Sequence, residues 1–143
     1  MLAHVATREG LVAVNSMFGR LDRVRYDAVP AVIYTHPEVA MAGRTEEELQ
    51  AEGTDYRKGI VPMNVSGRFL IEEEKGSGWV KILVASKSGR ILGAHAIGGP
   101  ASEFIVTAAA FIEGGFSAAR AAQIVFPHPT VSEALREALL QVA

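Results

Sequence analysis

Phe126-Pro127-His128-Pro129-Thr130-Val131-Ser132-Glu133 puts a rigid turn, a histidine and a helix start within eight residues, close to the C-terminus. Pro127 and Pro129 each lock their own φ, so the backbone carrying His128 has little freedom. A residue before proline is also pushed out of the α region, which places His128 on an extended corner. Thr130 and Glu133 have the spacing of a capping box, with Thr130 as N-cap and Glu133 three residues on. Two readings follow. In one, Glu133 only caps the helix and His128 is an ordinary loop histidine; spacing alone favours this, because capping boxes are common. In the other, the Glu133 carboxylate turns back to His128, fixes its tautomer and raises its basicity, the build of a general acid–base catalyst.

Outward from this stretch, the helix after Thr130 is expected over 130–142. Val131, Leu135, Ala138, Leu139 and Val142 stand at helical spacing, with Arg136, Glu137 and Gln141 opposite. Ser117 opens a short helix through Gln123. Ser102 to Glu113 reads as a strongly apolar helix stopped by Gly114-Gly115. Phe104, Ile105, Ala108, Phe111 and Ile112 share one side, and Val106, Ala109 and Ala110 cover much of the rest. A helix so apolar in a small domain implies a second surface to cover, a neighbouring domain or another subunit.

Before these helices the pattern changes to strands. Trp79 to Ala85 and Ile91 to Gly98 flank a hairpin loop, Ser86 to Arg90. Strict alternation puts Ile91, Gly93, His95 and Ile97 on one face and Leu92, Ala94 and Ala96 on the other, which makes His95 a packed sheet histidine. Tyr56 to Met63 is a strand, and Pro62 argues for an edge position. A turn or short helix is expected through Phe69-Leu70-Ile71, then a solvated loop over 72–78. Ala31 to Tyr34 and Val39 to Ala42 are short β-prone runs. Thr45 and Glu48 form a second capping box, whose helix ends at Gly53. Its three glutamates, Glu46 to Glu48, read as a solvated acidic first turn at the positive helix end. Residues 1–19 read as one helix with Gly19 as its stop, and 20–30 as a polar linker.

The chain of 143 residues is long enough for one domain with a core. Apolar residues make up 49% against 21% charged, a globular balance. The formal net charge of −2 gives no reason to expect nucleic acid or an anionic membrane as partner. No apolar run approaches the ~18 residues of a membrane helix. Arg8, Glu9, Arg20 and Asp22 bracket too short an apolar stretch for a signal peptide, so a cytoplasmic location is expected. Cysteine is absent, which excludes disulfides, thiol nucleophiles and cysteine-based zinc sites within these residues. The four histidines fall on unrelated elements, so no metal site is expected. There is no Gly-x-Gly-x-x-Gly after a strand.

Three blocks together carry a resemblance. His128-Pro129-Thr130-x-Ser132-Glu133 resembles the C-terminal signature of the flavin-dependent disulfide oxidoreductases. Ile33-Tyr34-Thr35-His36-Pro37-Glu38-Val39-Ala40, followed by Gly43-Arg44-Thr45-Glu46-Glu47-Glu48-Leu49, is most similar to the dihydrolipoamide dehydrogenase branch. Met1-Leu2-Ala3-His4, with Glu9-Gly10 behind it, looks like the flavin-facing helix start of the same branch. The blocks run the length of the chain in the family's order.

The resemblance implies an α+β fold: an antiparallel sheet from residues 31–97 with helices 102–113, 117–123 and 130–142 on one face, like the family's dimerisation domain. Residues 1–26 would be the C-terminal remnant of an FAD-binding domain and 27–143 the dimerisation domain. Such enzymes pass electrons from a dithiol through a cysteine pair and FAD to NAD. With neither cysteines nor nucleotide fingerprints, this chain is expected to be part of such an enzyme, inactive alone and binding neither cofactor by itself. The resemblance also implies a homodimer in which His128 of one subunit reaches the flavin and disulfide of the other. His128 would be the base, Glu133 would orient it and Pro129 would hold the corner. Backbone groups of Met1, Leu2, Ala3 and His4 would face the flavin at a positive helix end. The substrate would be a lipoyl-bearing protein or a small disulfide. Tyr34 and His36 would lie in a loop near the flavin. Phe126-Pro127 departs from the His-Ala often found before this motif, and the C-terminal cysteine pair of mercuric reductases is missing. A glutathione reductase-like enzyme remains an alternative. For the fragment itself, so does a non-catalytic self-association module.

Overall fold

β-branched and aliphatic residues alternate on both sides of the Ser86–Arg90 loop, and these two runs form the centre of the sheet. The computed structural model describes residues 2–73 and 76–143. In it β1 is Pro30–Ile33, β2 Val39–Gly43, β3 Tyr56–Pro62, β4 Trp79–Ala85 and β5 Ile91–Ile97. The order is β1-β2-β5-β4-β3, with all neighbours antiparallel. β3 is an edge strand, which is where a proline that cannot donate to the ladder is tolerated.

The simple alternation along β5 fails at one point. Leu83 pairs with Gly93, but Val84 pairs with Ile91, so Leu92 is an extra residue in a bulge. Ile91 therefore shares the buried face with Ala94 and Ala96, not the face of Gly93 and His95. The bulge turns the Leu92 carbonyl to the Arg44 amide at 2.8 Å. The backbone approach is so close that a Cβ on Gly93 would collide with the Arg44 carbonyl.

One face of the sheet carries Ala40, Ala42, Val61, Val80, Ile82, Val84, Ala94 and Ala96, all buried. Here lie α4 (Ala101–Glu113) against β2 and β5, and α6 (Glu133–Leu140) against β3 and β4. The alanines of β2 and β5 leave room for Phe104, Ile105, Ala108, Phe111 and Ile112 of α4. Val106 is 58% exposed. Ser117 caps α5 (Ala118–Ala122), which packs on α6.

α2 (Glu46–Ala51) carries the expected capping box, both halves formed by Thr45 and Glu48. α3 (Gly67–Glu72) is capped by Ser66. Of the loop expected over 72–78, Glu72 ends α3, Gly76 to Gly78 lead into β4, and Glu74 and Lys75 lie outside the described residues. α1 (Ala3–Met17) buries no residue. The linker folds back on it: Asp22 accepts from Arg8 Nη1 at 2.8 Å and Asn15 Nδ2 at 2.7 Å, and the Tyr26 hydroxyl donates to Glu9 at 2.7 Å. The Arg8 and Asn15 donors hold the Asp22 carboxyl far below its usual range.

Candidate functional site

The corner at residues 126–133 is built by hydrogen bonds more than by packing. The Thr130 hydroxyl donates to the Pro127 carbonyl at 2.7 Å and lies 2.9 Å from Ser132 Oγ. It is therefore not the cap for the Glu133 amide, and α6 starts at Glu133, three residues later than expected, with Ser132 as its N-cap residue. Only the return half of the anticipated capping box forms: the Thr130 amide donates to Glu133 Oε2 at 2.9 Å.

The other carboxylate oxygen, Oε1, lies 2.9 Å from His128 Nδ1. Capping and turning back to the histidine are thus not alternatives, because Glu133 does one with each oxygen. Its pKa is lowered, first by the Thr130 amide and next by His128. An ionised carboxylate only accepts, so Nδ1 is the donor in this contact, and in the neutral imidazole that arrangement leaves the lone pair on Nε2. The His128 side chain is 78% exposed and the Glu133 side chain 23%. The imidazole is aimed outward and held from behind by the carboxylate. Beside it runs a groove of about 460 Å³ between α3, the start of α4 and residues 129–132, with Arg68, Glu72, Glu103 and Thr107 among its lining.

The second group of candidate residues lies at the start of α1. Met1 is outside the described residues. Leu2 is the N-cap with extended backbone, and no side chain caps the first turn. Ala3 is the first helical residue. His4 is exposed and its Nε2 donates to the Pro30 carbonyl at 2.8 Å, tying α1 to β1. In the loop between β1 and β2, Tyr34 is 80% exposed, and Thr35 Oγ1 donates to the Pro37 carbonyl at 2.7 Å. Glu38, the last residue of this loop, reaches across to accept from the Ser102 amide at 2.8 Å, so it caps α4 from a segment distant in sequence.

The acidic first turn of α2 is not simply solvated. Glu46, 17% exposed, accepts from Lys81 at 2.8 Å, Lys58 at 2.9 Å and the Tyr56 hydroxyl at 3.0 Å. These donors, Lys81 first and then Lys58, lower its pKa to about 2. Lys58 and Lys81 sit on strands and project from the face opposite α4 and α6. Sequence reading sees the three glutamates as equivalent, because only strand pairing brings both lysines to one of them. His95 stands between Met41 and Lys81 in register on this same face. It is a packed sheet histidine whose ring nitrogens have no hydrogen-bond partner. Burial, and then Lys81, push its pKa down. Among the described residues, no three His, Cys, Asp or Glu side chains gather as a metal-ligand set.

A family model described as pyridine nucleotide-disulphide oxidoreductase, dimerisation domain, matches residues 29–139. The chain is 45% identical over 140 residues to the mitochondrial dihydrolipoyl dehydrogenase of Sus scrofa and 43% identical to that of Caenorhabditis elegans. These matches cover 98% of this chain but 27% and 28% of the two relatives. The crystal structure of LpdA from Mycobacterium tuberculosis superposes with a TM-score of 0.92 at 26% identity, over 99% of this chain and 31% of that one. The chain thus spans less than a third of the length of these three proteins.

Proposed function

The chain belongs to the dimerisation-domain family of the pyridine nucleotide-disulphide oxidoreductases, and on that premise we propose that it forms the C-terminal part of a dihydrolipoamide dehydrogenase. In this reading residues 27–143 supply the subunit interface of a homodimer and an acid–base pair, His128 and Glu133. Residues 1–26 are the end of the FAD-binding domain. The observation that carries the proposal is the division of the Glu133 carboxylate between the Thr130 amide and His128 Nδ1.

The chemistry follows from that geometry. His128 Nε2 takes the proton from a thiol of the incoming dithiol. The resulting thiolate is the species that attacks a disulfide, and that disulfide is supplied from outside this cysteine-free chain. Glu133 stabilises the imidazolium and keeps the ring in one orientation until the proton is passed on. The uncapped first turn of α1 at Leu2, Ala3 and His4 offers amide donors at a positive helix end, a set that fits an electron-rich ring edge. Bound there, FAD would supply the two-electron acceptor, with NAD the final acceptor of the whole enzyme. The lipoyl-bearing substrate is favoured over a glutathione-type disulfide by the 45% identity to a dihydrolipoyl dehydrogenase.

The test is His128→Gln in the full-length enzyme that carries this segment. Loss of a general acid–base group lowers turnover by about 10²–10⁴, and we expect a fall of at least the lower figure. Turnover within a few-fold of wild type, with the flavin still bound, would remove His128 from the reaction.

A further inference from the structure

Among the described residues, Ser66 is the polar side chain that the core buries completely, at 1% exposure. Its hydroxyl accepts from the Phe69 amide at 3.2 Å, an ordinary N-cap bond for α3. It also donates to the Thr130 carbonyl at 2.9 Å, 64 residues along the chain. A cap needs only the first bond. The second reaches the residue from which the His128 corner hangs. Thr130 sends its amide to Glu133 Oε2 and its hydroxyl to the Pro127 carbonyl, and Glu133 Oε1 holds His128 Nδ1. The imidazole itself is mostly in solvent, so these bonds, and not packing, orient it.

We propose that Ser66 is a positioning residue for the His128–Glu133 pair. Its hydroxyl, fixed in the core at the start of α3, anchors Thr130, and Thr130 holds the carboxylate that orients the imidazole. The inference rests on the reading of His128 and Glu133 as an acid–base pair. It connects the start of α3, whose cap residue stands 64 positions before Thr130, to the direction in which Nε2 points. Removing the hydroxyl leaves the Phe69 amide without its side-chain cap and the Thr130 carbonyl with only its 3.3 Å bond from the Glu133 amide, and the corner loses this tether to the core.

The experiment is imidazole ¹⁵N spectroscopy of the chain at alkaline pH, where imidazoles are neutral. The shifts of His128 report which ring nitrogen carries the proton. Wild type, Ser66→Ala and Ser117→Ala are compared. Ser117 caps α5 through the Arg120 amide at 3.3 Å without touching the corner, so it controls for the loss of a cap. We expect wild type to hold the proton on Nδ1. Ser66→Ala should lower the ratio of Nδ1–H to Nε2–H by about 3- to 10-fold, the scale of one buried hydrogen bond. Ser117→Ala should leave it unchanged. An unchanged ratio in folded Ser66→Ala overturns the proposal, as does an equal fall in Ser117→Ala. A wild type with no preference for Nδ1–H overturns instead the reading of the pair. If Ser66→Ala does not fold, Ser66→Cys keeps the volume with a weaker donor; a partial fall supports the tether and a wild-type ratio rejects it.

Discussion

Glu46 and Glu133 are carboxylates with two tasks each; Glu133 serves groups in the turn just before its own helix, and Glu46 serves groups on two distant strands. Glu133 joins Thr130 to His128. Glu46 joins α2 to β3 and β4 through Lys58 and Lys81. The Glu46 arrangement has a pH signature. Its folded pKa of about 2 lies below the ordinary value of 4.5. A depressed carboxylate contributes stability that is fully present above the unfolded pKa and is lost as pH falls toward the folded one. The contribution should therefore fade from about pH 4.5 down to about pH 2. Glu46→Gln removes the titration and weakens charge-assisted bonds, so we expect a loss of roughly 1–2 kcal/mol at pH 7. Thermal midpoints of both proteins between pH 2 and 7 should converge at the acid end; a gap of constant size would mean that Glu46 is not the titrating group. Glu133 was legible as a capping residue or a histidine partner from spacing. Glu46 was not distinguishable from Glu47 and Glu48, because its partners lie on two strands.

Most elements could be read from local signals. β4 matches its expected bounds, Trp79–Ala85, and the second capping box holds α2 as its sequence requires. The departures occur where an element answers to a neighbour. Leu92 bulges where its carbonyl meets the amide of Arg44, a residue of another segment. α6 starts late because the Thr130 hydroxyl closes the His-Pro turn. α4 receives its cap from Glu38, in the loop between β1 and β2. Contact between α6 and β3 is similarly exacting. A Cβ on Gly59 would stand 2.5 Å from the Ala138 carbonyl and 3.1 Å from Gln141 Cβ. The obstacle is helix backbone, which cannot swing aside like the end of a side chain. Gly59→Ala should push α6 off the sheet and cost about 1–3 kcal/mol, the usual scale of overpacking. A urea midpoint equal to that of wild type would show that the layer is looser than these distances indicate.

Over the whole molecule, the apolar residues divide unequally. The sheet, α4, α5 and α6 share one core, whereas α1 buries none of its residues and leaves Leu11, Val14 and Met17 exposed, as is Phe18 just after it. Its attachment runs through polar contacts, such as His4 to Pro30 and Tyr26 to Glu9. A chain of residues 27–143 should accordingly fold alone, with backbone amide shifts of β1 to β5 close to those of the longer chain. Collapse of that spectrum would place the domain boundary elsewhere. Local patterning by itself determined the strands, the turns, the capped helices and the His128–Glu133 spacing, because each depends on residues a few positions apart. The family resemblance added the architecture and the roles. Only the tertiary structure decided which glutamate meets two lysines, where β5 changes phase, and that one carboxylate serves cap and histidine together. It also joined Ser66 to Thr130. The carboxylate's two partners are near in sequence, but its division between them depends on the folded corner. The others are contacts between residues distant in sequence, and no local period encodes a distance that only packing closes.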